Sequence, residues 1–241
     1  MFEDDEIVVV AGGTGRVGGA TVRALHEAGA RVIVVSRDES RAKAATEGLE
    51  RASVFTADLG DASSTDAFVN AVAQRYGRID AVVNLAGRGK FVPIKDSTLD
   101  DLRINLDGFV VTAYNLATSA LRVMLAQPYR PGRRSRGHLV TVTAGSSKDP
   151  QPRFGLFGAA KAAVNTLMRA IAREHKADGI VANAVVLGGV ATDAARSYLS
   201  AEDFDSAASP EEVAHVLTFL ASSASDGING DLVDLNAREV D

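Results

Sequence analysis

The chain has 241 residues, 46% of them hydrophobic, and a formal net charge of −5 with both signs scattered along its length. A chain of this size can bury a substantial core, and its mildly acidic, scattered charge argues against a nucleic-acid groove as its main business. It has no cysteine, which excludes disulfides, thiolate metal sites and a cysteine nucleophile.

The four histidines (His26, His138, His175 and His215) stand far apart without ligand spacing, so no metal site is expected. The opening "MFEDDE" is acidic and leads straight into an apolar run, unlike a secretory signal. No apolar run reaches the roughly 18 residues of a membrane span. The expectation is a soluble, cytoplasmic protein with no membrane partner.

In chain order the apolar runs are "IVVVA" (7–11), "RVIVVS" (31–36), "SVFTA" (53–57), "IDAVVNLA" (79–86), "HLVTVTA" (138–144), "IVANAVVL" (180–187) and "DLVDL" (231–235). Six of these seven are separated from the next by a segment of helical periodicity. Near-continuous apolar strands alternating with helices imply a parallel sheet covered on both faces. Gly29 and Gly77 stand where helices should end, just before the second and fourth strands. There is no linker, repeat or break in composition. One doubly wound α/β domain over residues 1–241 is expected.

After the first strand, "AGGTGRVGGA" (11–20) sets Gly13, Gly15 and Gly18 in a G-x-G-x-x-G pattern and Gly12, Gly15 and Gly18 in a G-x-x-G-x-x-G pattern. Such a loop uses glycine where the backbone turns tightly, approaches a pyrophosphate and meets a helix. The next helix then offers its free N–H groups to phosphate. Residues Gly12, Thr14, Gly15, Arg16, Val17 and Gly18 are therefore candidate cofactor contacts. At the end of the second strand an acidic residue would accept the adenosine ribose 2′-hydroxyl. This chain has Ser36 and Arg37 there, with Arg16 in the loop. Guanidiniums suit a 2′-phosphate by charge and fork geometry, so NADP(H) is expected over NAD(H).

The segment "AQPYRPGRRSRG" (126–137) carries Arg130, Arg133, Arg134 and Arg136. It reads as a solvated surface loop or as an anion or partner site, and the residues do not choose between them.

Further along, "PRFGLFGAAKAAVNTLMRAIARE" (152–174) reads as an amphipathic helix with Phe157 and Lys161 one turn apart on the same face. Here the chain resembles a short-chain dehydrogenase/reductase over essentially its whole length. The resemblance is carried by the glycine loop, "ADL" (57–59), "NLAG" (84–87), "INLDG" (104–108), "GHLVTVTA" (137–144), "FGAAK" (157–161), "ANAVVLGGVATD" (182–193) and "INGDLVDLN" (228–236), in the family's order and spacing. It implies a Rossmann fold with a seven-stranded parallel sheet flanked by helices and a dinucleotide across its carboxyl edge. It also implies that Asp58 and Leu59 border the adenine, and that Asn84, Ala86 and Gly87 border the adenosine ribose. Gly188, Val190 and Thr192 would flank the nicotinamide end.

The family moves protons with a serine, a tyrosine, a lysine and an asparagine. Asn105 and Lys161 match the last two, while Phe157 stands at the tyrosine position and Ala144 at the serine position. The glycine spacing resembles the family's extended branch, Arg16 replaces a usual glycine, and Leu187 replaces a usual proline. The segment from Asp193 to Ser209 is short for a substrate loop. Phenylalanine can neither give nor take a proton, and a positioned general acid is worth about 10²–10⁴ in rate. Ordinary carbonyl–alcohol redox should therefore be lost or severely impaired, while Lys161 can still hold the nicotinamide ribose.

Three functions remain open. The first is a nucleotide-binding protein without this redox activity. The second is an oxidoreductase with a displaced acid or a substrate needing none, and the third a non-redox enzyme on the same fold. Thr143, Ser146, Ser147, Lys148, Asp149, Arg153 and Tyr198 are the candidate replacement groups, and the small-molecule substrate is not readable. By the same resemblance the chain is expected to form a homodimer or homotetramer through helices near 98–126 and 154–176. The stripe Leu156, Ala160, Val164, Leu167 and Ile171 could equally be core packing.

Overall fold

The computed structural model describes the chain except residues 1, 3, 4, 194, 198, 199 and 236–241. Seven parallel strands form one sheet: β1 (Ile7–Ala11), β2 (Arg31–Ser36), β3 (Ala52–Thr56), β4 (Ala81–Asn84), β5 (Gly137–Ala144), β6 (Ile180–Leu187) and β7 (Leu232–Leu235). Their spatial order is β3-β2-β1-β4-β5-β6-β7. The helices are α1 (Arg16–Glu27), α2 (Glu39–Ala45), α3 (Ala62–Tyr76), α4 (Leu99–Asn105), α5 (Thr112–Ala126), α6 (Gly155–Glu174), α7 (Ala201–Ser206) and α8 (Pro210–Leu220).

The alternation within the strands assigns the two faces. Ile7, Val9 and Ala11 point to one side with Ile33, Leu116, Val164 and Met168, under α3, α5 and α6. Val8 and Val10 point to the other with Val34, Val22, Leu25 and Leu217, under α1 and α8. Burial on both faces is why the strands read as unbroken apolar runs. The stripe on α6 belongs to this core: Ala160, Val164 and Ile171 are buried within the chain itself.

Local signals set the helix ends. Asp61 Oδ1 accepts the Ser64 N–H at the start of α3, and Gly77 ends that helix at φ 81°. Thr98 with Asp101, and Ser209 with Glu212, form reciprocal capping boxes at α4 and α8. Between α4 and α5 the chain does not continue as a regular helix. Residues Leu106–Val111 form a π-turn, a widening that is frequent at functional sites. The helical stretch Leu99–Ala126 spans 28 residues, and its most apolar window has a mean hydropathy of 1.4 with 56% of it buried. By length and composition alone it could cross a membrane, which the reading of separate apolar runs did not register; its burial is that of a core helix.

The arginine-rich segment is a surface loop between α5 and β5 with Pro131, Gly132 and Arg134 exposed, but its other three arginines are paired rather than solvated. Arg130 grips the buried Asp80 through Nε at 3.0 Å and Nη2 at 2.9 Å. Arg78 Nε adds a bond at 2.7 Å and the Ile7 N–H another at 2.8 Å. Arg133 pairs with the buried Glu6 at 2.8 Å. Arg136 donates to the carbonyls of Leu125 and Gln127 and lies 4.5 Å from the Tyr129 ring centre. Arg134 stays exposed. The segment is an ionic clasp across the amino-terminal ends of β1, β4 and β5.

Candidate active site and cofactor groove

Strand order reverses between β1 and β4, so the loops leaving these strands diverge and open a crevice at the carboxyl edge. A groove of about 840 Å³ lies there, within the usual size range of ligand pockets. Gly12, at φ 81°, presses against the other loop: a Cβ on it would sit 2.7 Å from the Leu85 carbonyl carbon and 2.8 Å from the Ala86 nitrogen. A Cβ on the buried Gly18 would collide with the Gly12 carbonyl oxygen. Gly15 is exposed and would meet only that oxygen, at 3.6 Å. The loop is thus closed beneath and open above, a cradle into which a phosphate can approach the backbone.

Of the cofactor candidates, Gly12, Thr14, Gly15, Ser36, Arg37, Asp58, Leu59, Ala86 and Gly87 line this groove. Arg16 and Val17 open α1, and Gly18 lies buried behind the loop. Asn84 is buried at the end of β4, where its Oδ1 accepts the Ala86 N–H at 3.0 Å. Gly188, Val190 and Thr192 follow β6, and Val190 bridges to Ala208. None of these last seven lines the groove. Four charged residues that sequence reasoning passed over do: Arg41, Asp61, Arg88 and Asp107. Arg41 lies in the first turn of α2, after the extended N-cap Asp38, so no regular spacing ties it to Arg37. Asp58 and Asp61 also line the groove but are tied to the backbone, accepting from Gly60 N–H and Ser64 N–H.

The proton-chemistry positions gather where β5 ends against α6. Ala144 is the last residue of β5. The turn Gly145–Ser147 lies so close to α6 that a Cβ on Gly158 would strike the Ser146 carbonyl oxygen. Phe157 stands in an aromatic cluster, 5.1 Å from Phe109, 5.2 Å from Phe91 and 6.1 Å from Phe154 between ring centres, each pair edge-to-face. Such pairs favour this tilt. Lys161 is buried, donates to the Val142 carbonyl at 2.9 Å, and lies 4.3 Å from the centre of the Phe109 ring and 5.7 Å from that of Phe157. Asn105 closes α4 just before the π-turn. Its Nδ2 donates to the carbonyls of Asp101 and Lys90, while its buried Oδ1 has no partner. Phe109 and Gly89 connect Asn105 to Lys161, because a Cβ on Gly89 would strike both Asn105 Oδ1 and the Phe109 ring.

Among the suggested replacement acids, Lys148 is paired with Asp234 at 2.7 Å, and Ser147 Oγ accepts from Asn165 at 2.8 Å. Thr143 is buried in β5. Asp149 and Arg153 are exposed. Ser146 Oγ is buried with no partner. Tyr198 lies outside the described residues.

Burial pushes the Lys161 ammonium down to about 7. The folded chain then sheds this proton near neutrality, while the unfolded chain keeps it to 10.5. Stability therefore rises with pH between those values, and the buried charge costs most below pH 7. Lys161→Met should raise the melting temperature more at pH 6 than at pH 9; an equal gain at both would show that the ammonium is not desolvated.

A family model described as short chain dehydrogenase matches residues 6–203. A hexahydro-indene-carboxyl-CoA reductase of Mycobacterium tuberculosis is 31% identical, over 98% of this chain and 93% of its own. The crystal structure of gox2181 superposes with a TM-score of 0.83 at 30% identity, covering 97% of this chain and 95% of that one. A gluconate 5-dehydrogenase of Burkholderia cenocepacia, solved with NADP and tartrate, shares the fold at a TM-score of 0.87 and 24% identity, covering 97% and 94%. With its seven-stranded parallel sheet and its glycine loop at the switch point, the chain belongs to the short-chain dehydrogenase/reductase family, oxidoreductases that bind a nicotinamide cofactor.

Proposed function

We propose that the protein binds NADP(H) in the β1–β4 groove and has lost, or nearly lost, the family's ordinary carbonyl–alcohol redox activity. The observation that carries this reading is Phe157: its ring is held by three other phenylalanines at the position that should present a phenol. The groove fits a dinucleotide by its size, its open glycine cradle and its cationic end at Arg37 and Arg41. When bound, the cofactor supplies or takes a hydride. The residues around it can then hold and orient a ligand, but Phe157 and Ala144 give no proton to a carbonyl oxygen. Lys161 keeps a binding role through its ammonium. The protein acts on this reading as an NADP(H)-binding member of the family, in the cytoplasm and as a homodimer or homotetramer.

The preference for NADP(H) rests on Arg37 and Arg41, both exposed on the groove wall where β2 gives way to α2. A charge-assisted bond to phosphate contributes about 1.5–3 kcal/mol, so the double variant Arg37→Ala/Arg41→Ala, which removes two, should bind NADPH roughly 10²–10⁴-fold more weakly. Its affinity for NADH should hardly change. Calorimetric titration with both nucleotides checks this, and an equal loss for both would remove the preference.

One observation favours a second reading, an active enzyme with a displaced donor. Ser146, two residues beyond Ala144, keeps a buried hydroxyl without a partner that could orient a carbonyl in place of the missing serine. Turnover by wild type that vanishes in Ser146→Ala would support it.

A further inference from the structure

The groove has two cationic ends. Arg37 and Arg41 stand at one, beyond β2, and Arg88 at the other, on the loop that leaves β4. Because Gly12 leaves no room for a Cβ against Leu85 and Ala86, the chain leading to Arg88 runs alongside the glycine loop. Two residues of extended chain span at most about 7 Å, so Arg88 starts close to the phosphate cradle and its long stem covers the rest. Its backbone is anchored from behind: a Cβ on Gly108 in the π-turn would strike the Arg88 carbonyl oxygen. The side chain is exposed, and among the described residues no ion pair or hydrogen bond engages its guanidinium. Asp107, on the same wall, makes no ion pair with it. A ligand that satisfies both ends carries two separated anionic centres, one at the ribose 2′-position and one between the two nucleosides. A mononucleotide would satisfy only one.

We propose that Arg88 is a cofactor-binding residue, clamping the pyrophosphate of the dinucleotide from the β4 side while the glycine loop holds it from the β1 side; this rests on the reading of the groove as a nucleotide site. Arg88 thus acts as a lever on dinucleotide affinity that is independent of the arginines at the 2′-position. The planar guanidinium suits a pyrophosphate, which offers adjacent oxygens to its fork.

The test is calorimetric titration of wild type, Arg88→Ala and Arg88→Lys with three probes: NADPH, ADP-ribose and adenosine 2′-monophosphate. Arg88→Ala should weaken NADPH and ADP-ribose about tenfold, the loss of one charge-assisted bond, and leave adenosine 2′-monophosphate unchanged. Arg88→Lys keeps the charge and loses the fork, so its NADPH and ADP-ribose affinities should fall between those of wild type and Arg88→Ala, while unchanged adenosine 2′-monophosphate binding by both variants shows that position 88 is not needed for folding. Unchanged ADP-ribose binding by Arg88→Ala, or an equal loss for all three probes, would overturn the assignment. Failure of the underlying reading looks different: wild type then binds none of the three, and the clamp falls with it.

Discussion

Replacing Phe157 by tyrosine and Ala144 by serine together should raise NADPH-dependent ketone reduction by about 10²–10⁴ over wild type, the usual worth of a positioned general acid. The phenol would project from the first turns of α6, where the Phe157 ring already lies 5.7 Å from the Lys161 ammonium. That neighbouring charge lowers a phenol's pKa and lets it cycle near neutrality. The serine would stand at the end of β5 and orient the carbonyl. Each single substitution should give less than its share of the double, because residues that act as a unit are not additive. The added hydroxyl replaces a hydrogen at the far edge of the ring and needs room there among the surrounding rings. Phe91 is the residue most exposed to the change: it packs on both Phe154 and Phe157, at 4.7 and 5.2 Å, and is itself 41% exposed, so it can give way. Steady-state rates on a ketone panel check this. A double variant as slow as wild type, with NADPH binding intact, would show that the missing hydroxyls are not what silences the site.

The second large effect concerns stability. Asp80→Ala should cost about 3–5 kcal/mol, as breaking one partner out of a buried ionic cluster does, and lower the melting temperature by roughly 6–20 °C. The carboxylate accepts from Arg78, Arg130 and the Ile7 N–H. Without it, two guanidiniums and a buried amide lose their acceptor at the start of β4, and the 127–136 segment loses its anchor. The same cluster has a pH signature. Burial alone would raise the Asp80 carboxyl, but Arg130, the Ile7 N–H and Arg78 outweigh it and hold it below the ordinary 3.8. A carboxylate whose folded pKa is depressed contributes stability above the unfolded value and loses it as pH falls through the folded one. The stability gap between wild type and Asp80→Asn should therefore be full at pH 6 and shrink below pH 3.8. Chemical denaturation at several pH values measures it, and a gap that stays constant down to pH 2 would contradict it.

What the sequence disclosed and withheld follows from the range of the interactions. The strands were legible because each is buried on both faces and carries its own apolar run. β1, β2 and β6 match their expected limits, and the others shift by a few residues. The widest shift is at β4, expected over 79–86 and found at Ala81–Asn84. Ile79 and Asp80 are buried like strand residues, yet Asp80 serves the ionic clasp. The glycine loop was legible because its chemistry is local. The clasp was not: Arg130 meets Asp80 across 50 positions, and Arg133 meets Glu6 across 127, so only the fold brings them together. A run of arginines looks the same whether solvated or paired. The π-turn was hidden because 98–126 keeps helical periodicity through it, and Gly108 is its one local mark. Arg88 and Arg41 enter the groove only through the topology that sets β2, β1 and β4 side by side. The aromatic surroundings of Phe157 were likewise invisible, since Phe91 and Phe109 come from other elements.

The most direct measurement is the fluorescence of NADPH titrated with wild-type protein, followed over time after a broad ketone panel is added. The chain has no tryptophan, so the nicotinamide signal is free of energy transfer from that residue. The account expects a saturable change on binding that then stays constant for hours, while the same signal decays with the Phe157→Tyr/Ala144→Ser variant. No change on titration, or decay with wild type as fast as with the double variant, would contradict it.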